Sequence, residues 1–434
     1  MKKIPLILLA ILLVPAQVVA MTTPILTYNP QSGSLSTTAV RFIPLGPSGN
    51  VGSPGASALN HTMPTAGTFS KLYVRMPAAL SAGTSYTIVL MKNGVASALS
   101  VQITDAGLTA QDTSNTVTVA AGDTVGFRIT PSGTPVSQTG NYQVGVVFDS
   151  TVSGESLIFS RGVGSNTTGN SYFTLGGGGS ISVGASTYAT VFPTNGVIDK
   201  MYVTSGAPGA GISRTVALTV NGVDSTLTCT MSDAAGSCND VTHAVSISAG
   251  DEVVVHESVT GTVTSTNIHT SMRFVPTIPG ESVMMGVGGN PNNAADRYQH
   301  THGYILNASS EAITQAVAPI AFTWKKLYLD YDTAPGAGNS RSFTARIGGV
   351  SQSLTANVTD TNTTANNTSN QVAVAVGDLI NWVTTPVSAP TAPARMAVGA
   401  VMYIAPPDPS APVGQARFLN LGTMLLNMGK LIIQ

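Results

Sequence analysis

Apolar and polar residues alternate with a period of two through most of this chain. Tyr86, Ile88 and Leu90 stand against Ser85, Thr87 and Val89, and Leu99, Val101 and Ile103 resume the alternation downstream. Successive side chains of a strand point to opposite faces, so each run predicts a strand with one buried face. Between the two runs lies Asn93-Gly94. Asn-Gly marks a tight hairpin, because both central turn residues need positive φ. Thr116-Val117-Thr118-Val119 leads into Ala121-Gly122-Asp123, after which Val125 and Phe127 restore the period. No convincing 3.6-residue period interrupts this pattern within the modules. Many short strands punctuated by Gly, Pro, Asn and Asp predict an all-β chain of sandwich, jelly-roll or barrel type.

The pattern occurs three times. Lys71-Leu72-Tyr73-Val74 returns as Lys200-Met201-Tyr202-Val203 and as Lys326-Leu327-Tyr328-Leu329, at intervals of 129 and 126 residues. Four further landmarks follow in the same order. They are Ala82-Gly83, Ala210-Gly211 and Ala337-Gly338; Asn93-Gly94, Asn221-Gly222 and Gly348-Gly349; Thr104-Asp105, Ser232-Asp233 and Thr359-Asp360; and Ala121-Gly122-Asp123, Ala249-Gly250-Asp251 and Val376-Gly377-Asp378. Self-similarity at a fixed period is the signature of a repeat architecture. The expected organisation is a signal peptide at 1–20, β-sandwich modules at 21–152, 153–279 and 280–405, and a Pro-rich linker with an apolar tail at 406–434. Gly154-Glu155-Ser156 and Gly280-Glu281-Ser282 open equivalent strands at two of these boundaries. End-to-end stacking and closure into a pseudo-threefold unit both fit the sequence.

A strand, a Gly-Asp turn and a second apolar strand, as in Gly122-Asp123-Thr124-Val125, is similar to the late strand pair of C1q/TNF-like jelly rolls. Modules of this size and composition also resemble those of bacterial surface proteins and phage virion proteins. The resemblance implies a non-enzymatic module that trimerises and displays loops.

Composition narrows the setting. Charged residues make up 9% and hydrophobic residues 43%, with a net charge of −1, against roughly 25% charged in an average soluble protein. No basic field gathers phosphates, which argues against nucleic acid, and a nearly neutral surface lacks the repulsion that keeps molecules apart. Lys2 and Lys3, the apolar run Ile4–Val14 and Val18-Val19-Ala20 have the form of a secretory signal peptide. A retained anchor is the alternative, but the run is short of the roughly 20 residues a membrane span needs. Once it is cleaved, no stable membrane span is expected. Cys229 and Cys238 are the only cysteines, and an exported setting predicts a disulfide worth roughly 2–3 kcal/mol in the chain-entropy model.

At the C-terminus, Pro406, Pro407, Pro409 and Pro412 form a stiff linker. Phe418, Leu419, Leu421, Met424, Leu425, Leu426, Met428, Leu431, Ile432 and Ile433 follow it. So much apolar surface calls for a partner. It suits an assembly strand added to a neighbour's sheet, or a segment folded back on the third module.

Candidate chemistry is sparse. His300-Thr301-His302 would place two imidazoles on one strand face, with Asp296 and His61 as conceivable companions for a metal; polar loop or surface histidines are the plainer reading. Asp105 with Asp112, Asp233 with Asp240 and Asp360 with Asn367 could flank a calcium loop, although Asx-turns explain them more simply. Asp123, Asp251 and Asp378 are read as turn residues. Gly176–Gly179 lacks the helix and Lys of a phosphate loop and is expected to be a flexible connection. Asn60-His61-Thr62, Asn307-Ala308-Ser309, Asn357-Val358-Thr359 and Asn367-Thr368-Ser369 have the form of glycosylation sequons. Trp324 and Trp382 are expected in the core. No catalytic, cofactor or metal site is assigned. The sequence points to an extracellular, cell-surface or virion structural and display protein that self-associates. A secreted carbohydrate-binding adhesin, with glycans as partners, is the alternative.

Overall fold

The computed structural model describes residues 21–28, 35–46, 61–138, 142–152, 154–164, 168–180, 184, 188–264, 266–304 and 307–406. The signal-peptide segment 1–20 and the tail from 407 onward, including every apolar tail residue named above, lie outside the described residues.

The chain is all-β. Its first unit contains β1 (Thr22–Tyr28), β2 (Arg41–Pro44), β3 (His61–Thr62), β4 (Gly67–Arg75), β5 (Ser85–Lys92), β6 (Val95–Thr104), β7 (Thr109–Val119), β8 (Thr124–Ser132) and β9 (Gln143–Ser150). The second contains β10 (Ser156–Val163), β11 (Gly169–Thr174), β12 (Gly178–Ser180), β13 (Thr190–Val191), β14 (Gly196–Thr204), β15 (Gly209–Val220), β16 (Val223–Asp233), β17 (Ser237–Ile247), β18 (Glu252–Thr260) and β19 (Ile268–Pro276). The third contains β20 (Glu281–Gly288), β21 (Arg297–Gln299), β22 (Gly303–Tyr304), β23 (Ala316–Val317), β24 (Phe322–Tyr331), β25 (Gly336–Ile347), β26 (Val350–Asp360), β27 (Thr364–Val374), β28 (Leu379–Val387) and β29 (Met396–Tyr403).

Each unit folds into two sheets with one shared plan. In the first unit the order is β1-β9-β4-β7 in one sheet and β2-β8-β5-β6 in the other, with β3 beside β8. The second unit repeats it as β12-β10-β19-β14-β17 and β11-β18-β15-β16, the third as β22-β20-β29-β24-β27 and β21-β28-β25-β26. All pairings are antiparallel except β10 with β12 and β20 with β22. The glycine run is therefore more than a connection, since Gly178–Ser180 forms β12.

Four of the five landmarks are turns that bond to one another in pairs. Asn93-Gly94, Asn221-Gly222 and Gly348-Gly349 all have positive φ, as the β5–β6, β15–β16 and β25–β26 hairpins demand. The Asp105, Asp233 and Asp360 carboxylates accept the backbone N–H of Gly83, Gly211 and Gly338 at 2.6, 2.7 and 2.9 Å. The amides of Asn93 and Asn221 donate to Asp123 and Asp251 at 2.7 and 2.9 Å. Lys71, Lys200 and Lys326 sit at φ of 53°, 49° and 53°, where the registers of β4, β14 and β24 slip. They are β-bulges, which re-aim the strand. The paired turns lie far apart in sequence and meet in the fold, whereas the lysine landmark marks a bulge.

Between the two sheets of each unit lies a core. In the third unit Trp324 and Trp382 pack at 4.2 Å, both fully buried. In the second unit Cys229 of β16 and Cys238 of β17 form a disulfide across 5.8 Å between Cα atoms. These are edge strands of opposite sheets, so the bond staples the open side of that sandwich.

Candidate functional site

The three units close on one another, and the joints are the feature that organises the molecule. In the first strand of each unit, side chains on one face enter that unit's own core and side chains on the other enter a neighbour's. Ile25 of β1 packs in the first core and Leu26 in the third. Ile158 of β10 packs in the second core, whereas Leu157 and Phe159 complete the first. Met284 of β20 belongs to the third core, and Val283 and Met285 to the second. The direction is cyclic: second into first, third into second, first into third. A linear stack would leave the first strand's outer face without a core. With both faces covered, β20 is buried at every residue, and the alternation of a half-exposed strand disappears.

A second element runs around the same ring. The two-residue strands β3, β13 and β23 each contact the following unit: β3 meets β14 and β19, β13 meets β24 and β29, and β23 meets β4 and β9. Close approach requires a small residue beneath. A Cβ on Gly399 would lie 2.1 Å from the Val191 carbonyl oxygen, and one on Gly145 would lie 3.2 Å from that of Val317. At the equivalent place in the second unit, Ser271 Oγ instead bonds His61 Nδ1 at 3.2 Å.

Although the backbone plan is shared, the joints differ in chemistry. Between the first and second units, Thr65 donates to the buried Glu155, which also pairs with Arg273. Arg273 reaches Asp199 through Nε at 2.6 Å. Between the second and third, Thr194 Oγ1 donates to Glu281 at 2.5 Å, and Lys326 and Lys325 pair with Glu281 at 2.7 and 2.9 Å. Burial opposes ionisation of Glu281, but the bonds from Lys326, Thr194 and Lys325 outweigh it and hold its carboxyl below the ordinary range. Between the third and first, Ile320 and Thr22 stand where Thr and Glu stand elsewhere. Thr22 bonds Asp149 within its own unit, and Arg75 Nη1 crosses to the Ala312 carbonyl at 2.5 Å.

Arg395, just ahead of β29, adds a clasp. Its Nη2 bonds Glu252 of the second unit and Asp330 of the third, each at 2.7 Å, and its Nη1 donates to the Ala189 carbonyl at 3.1 Å. The hydrogen bond with Asp330, and then burial, push the Glu252 carboxyl up to about 7.

His61, His300 and His302 lie at joints or within the units rather than on the outer surface. His61 is buried 4.9 Å from the Phe159 ring and 5.2 Å from the His269 ring. Burial, then the nearby Arg161 charge, push it down to about 3. His300 and His302 lie in the loop between β21 and β22, the position the plainer reading gives them, and share no strand face. They are not surface histidines either: burial pushes them to about 3 and 4, and His302 Nδ1 accepts the Met285 N–H at 3.0 Å. Asp296 is exposed. Among the described residues, no three His, Cys, Asp or Glu side chains form a metal-binding group.

The paired aspartates act on the backbone. Asp112 accepts the N–H groups of Ser100, Ser114 and Asn115 at 3.0 to 3.1 Å. Asp240 accepts those of Thr228, Thr242 and His243 at 3.1 Å, and Asn367 accepts that of Asn370 at 3.0 Å. One feature escaped the sequence reading. On the outer face of the second unit, Tyr172 stacks on His256 at 4.5 Å, and His256 Nδ1 bonds the half-exposed Asp224 at 2.8 Å. Its residues come from three separate strands, so no local motif announces it.

No protein-family model matches this chain, and no curated protein matches it significantly.

Proposed function

We propose that this chain is a non-enzymatic extracellular structural or display protein, a subunit of a surface appendage, coat or virion fibre. The observation that carries it is the cyclic sharing of first strands among three cores. Each unit's strand order supports a jelly roll of the C1q/TNF-like kind, and the closed ring supports the trimer-like arrangement that the resemblance implies. One chain thereby presents three sets of outer loops around one axis. Internal joints occupy the core-like surfaces of the units, so association between chains falls to the outer sheets and the apolar tail of residues 413–434. Mass in solution and electron microscopy of residues 21–434, with and without 413–434, test this. Regular particles or filaments that revert to single chains on truncation are expected. A full-length protein that stays monomeric at high concentration overturns it, and unchanged assembly after truncation removes the tail's role.

The alternative, a carbohydrate-binding adhesin, draws on the stacked Tyr172 and His256 beside Asp224. An aromatic ring next to an exposed carboxylate suits a sugar's apolar face and hydroxyls. Specific retention on a glycan array that is abolished by Tyr172→Ala would favour it.

A further inference from the structure

We propose that the joint between the second and third units is a pH-sensitive latch, shut while Glu252 and Asp330 share a proton beneath Arg395 and loosened when both carboxylates ionise. Two carboxylates from different units converge on one guanidinium nitrogen. Arg395 carries one positive charge, so with both acids ionised the group keeps an unbalanced negative charge. Two carboxyl groups hydrogen-bond each other only when one is protonated, and like charges in close contact disfavour double ionisation.

Among the described residues, no further ion pair compensates this group. Asp330 and Arg395 are the charged groups that face Glu252 from β24 and from the segment before β29. β13, beside it on β18, contributes Thr190 and Val191, which do not titrate. Neighbouring Asp251 is turned into Asn221 and the Ser248 N–H. Arg395 is nearly buried and also holds the Ala189 carbonyl, next to β13. Repulsion at the carboxylates is therefore transmitted to the strand that docks on the third unit. Equivalent positions are Thr124 and Thr204 at the first joint and Leu379 and Arg75 at the third, so the latch belongs to one joint.

The sign follows from proton linkage. A carboxyl raised on closure stabilises the closed joint below its free value, and that contribution is lost as pH rises through about 7. Amide hydrogen exchange of full-length protein at pH 6 and pH 8, corrected for intrinsic rates, reads the latch directly. Protection of residues 188–193 is expected to fall about tenfold between these pH values. The fall should shrink to less than about twofold in Glu252→Gln. Asp330→Asn is a second variant with the same expectation, should the first fold poorly. Residues 61–63 at the first joint serve as control and should keep their protection. Equal losses in wild type and variants, no loss in wild type, or equal losses at both joints would overturn the latch. Assembly is not the readout, so this outcome and that of the display proposal are independent.

Discussion

Ile25 and Leu26 are neighbours in the chain, yet their side chains enter different cores, those of the first and the third units. Only a closed arrangement permits this, because the third unit must return to the first for Leu26 to find its place. The consequence is energetic coupling: damage to one first strand weakens two units.

Phe159→Ala tests that coupling. The side chain is 3% exposed and sits on β10 while filling the core of the first unit. Its loss should cost about 3–5 kcal/mol. Denaturant unfolding should report the cost, and hydrogen exchange should rise in both the first and second units. A change confined to the second unit would contradict strand sharing.

Buried charge in the second core gives a further expectation. Arg214 and Glu257 pair at 3.1 Å with both side chains inaccessible, and burial pushes Glu257 up to about 7 despite Arg214. A raised carboxyl stabilises the fold below its ordinary range and loses that contribution as pH rises through about 7. The melting temperature should therefore fall from pH 5 to pH 8, and Glu257→Gln should reduce the fall to the part that Glu252 contributes. Arg214→Ala alone should cost about 3–5 kcal/mol, since it strands a buried acid. The double change Arg214→Tyr with Glu257→Ile, copying Tyr86 and Ile129 of the first unit, should be far milder.

Asp240 behaves oppositely. Burial opposes its ionisation, but bonds from His243, Thr242 and Thr228 outweigh it and hold the carboxyl below the ordinary range. Its contribution is present above about pH 4 and lost as pH falls further. Asp240→Ala should cost about 1–3 kcal/mol by orphaning backbone donors. Asp240→Asn, as at Asn367, should retain most stability and lose the acid dependence, measured by thermal unfolding between pH 2 and 6.

The disulfide should act locally. Replacing Cys229 and Cys238 by Ala, the residues at Ala356 and Ala365 of the third unit, should cost the second unit about 2–3 kcal/mol. Hydrogen exchange near β16 and β17 should rise while the third unit keeps its protection.

Local rules made the strands, the hairpins and the repeat legible in the sequence. Asn93-Gly94 and Gly348-Gly349 announce positive φ, and Val101 and Ile103 announce a face. Lys71, Lys200 and Lys326 recur visibly, but nothing about lysine marks a bulge, since left-handed backbone normally falls to Gly, Asn or Asp. Closure was illegible for a related reason. Leu157 and Phe159 look like any strand residues, and which core receives them depends on chain that lies far away. His300 and His302 do lie in a loop, the plainer expectation, but not at the surface, because histidine carries no mark that separates burial from exposure.

The shared first strands also set an order of events in time. β1 emerges before any other strand, yet the cavity awaiting Leu26 does not exist until Trp324, Phe343 and Trp382 have come together. Contacts spanning so much of the chain form slowly. Closing the seam between the third and first units is therefore expected to come late in folding. That seam lacks the Thr–Glu contact that crosses each of the other two joints and relies on Arg75 and the Ala312 carbonyl instead, so it is the joint expected to open first.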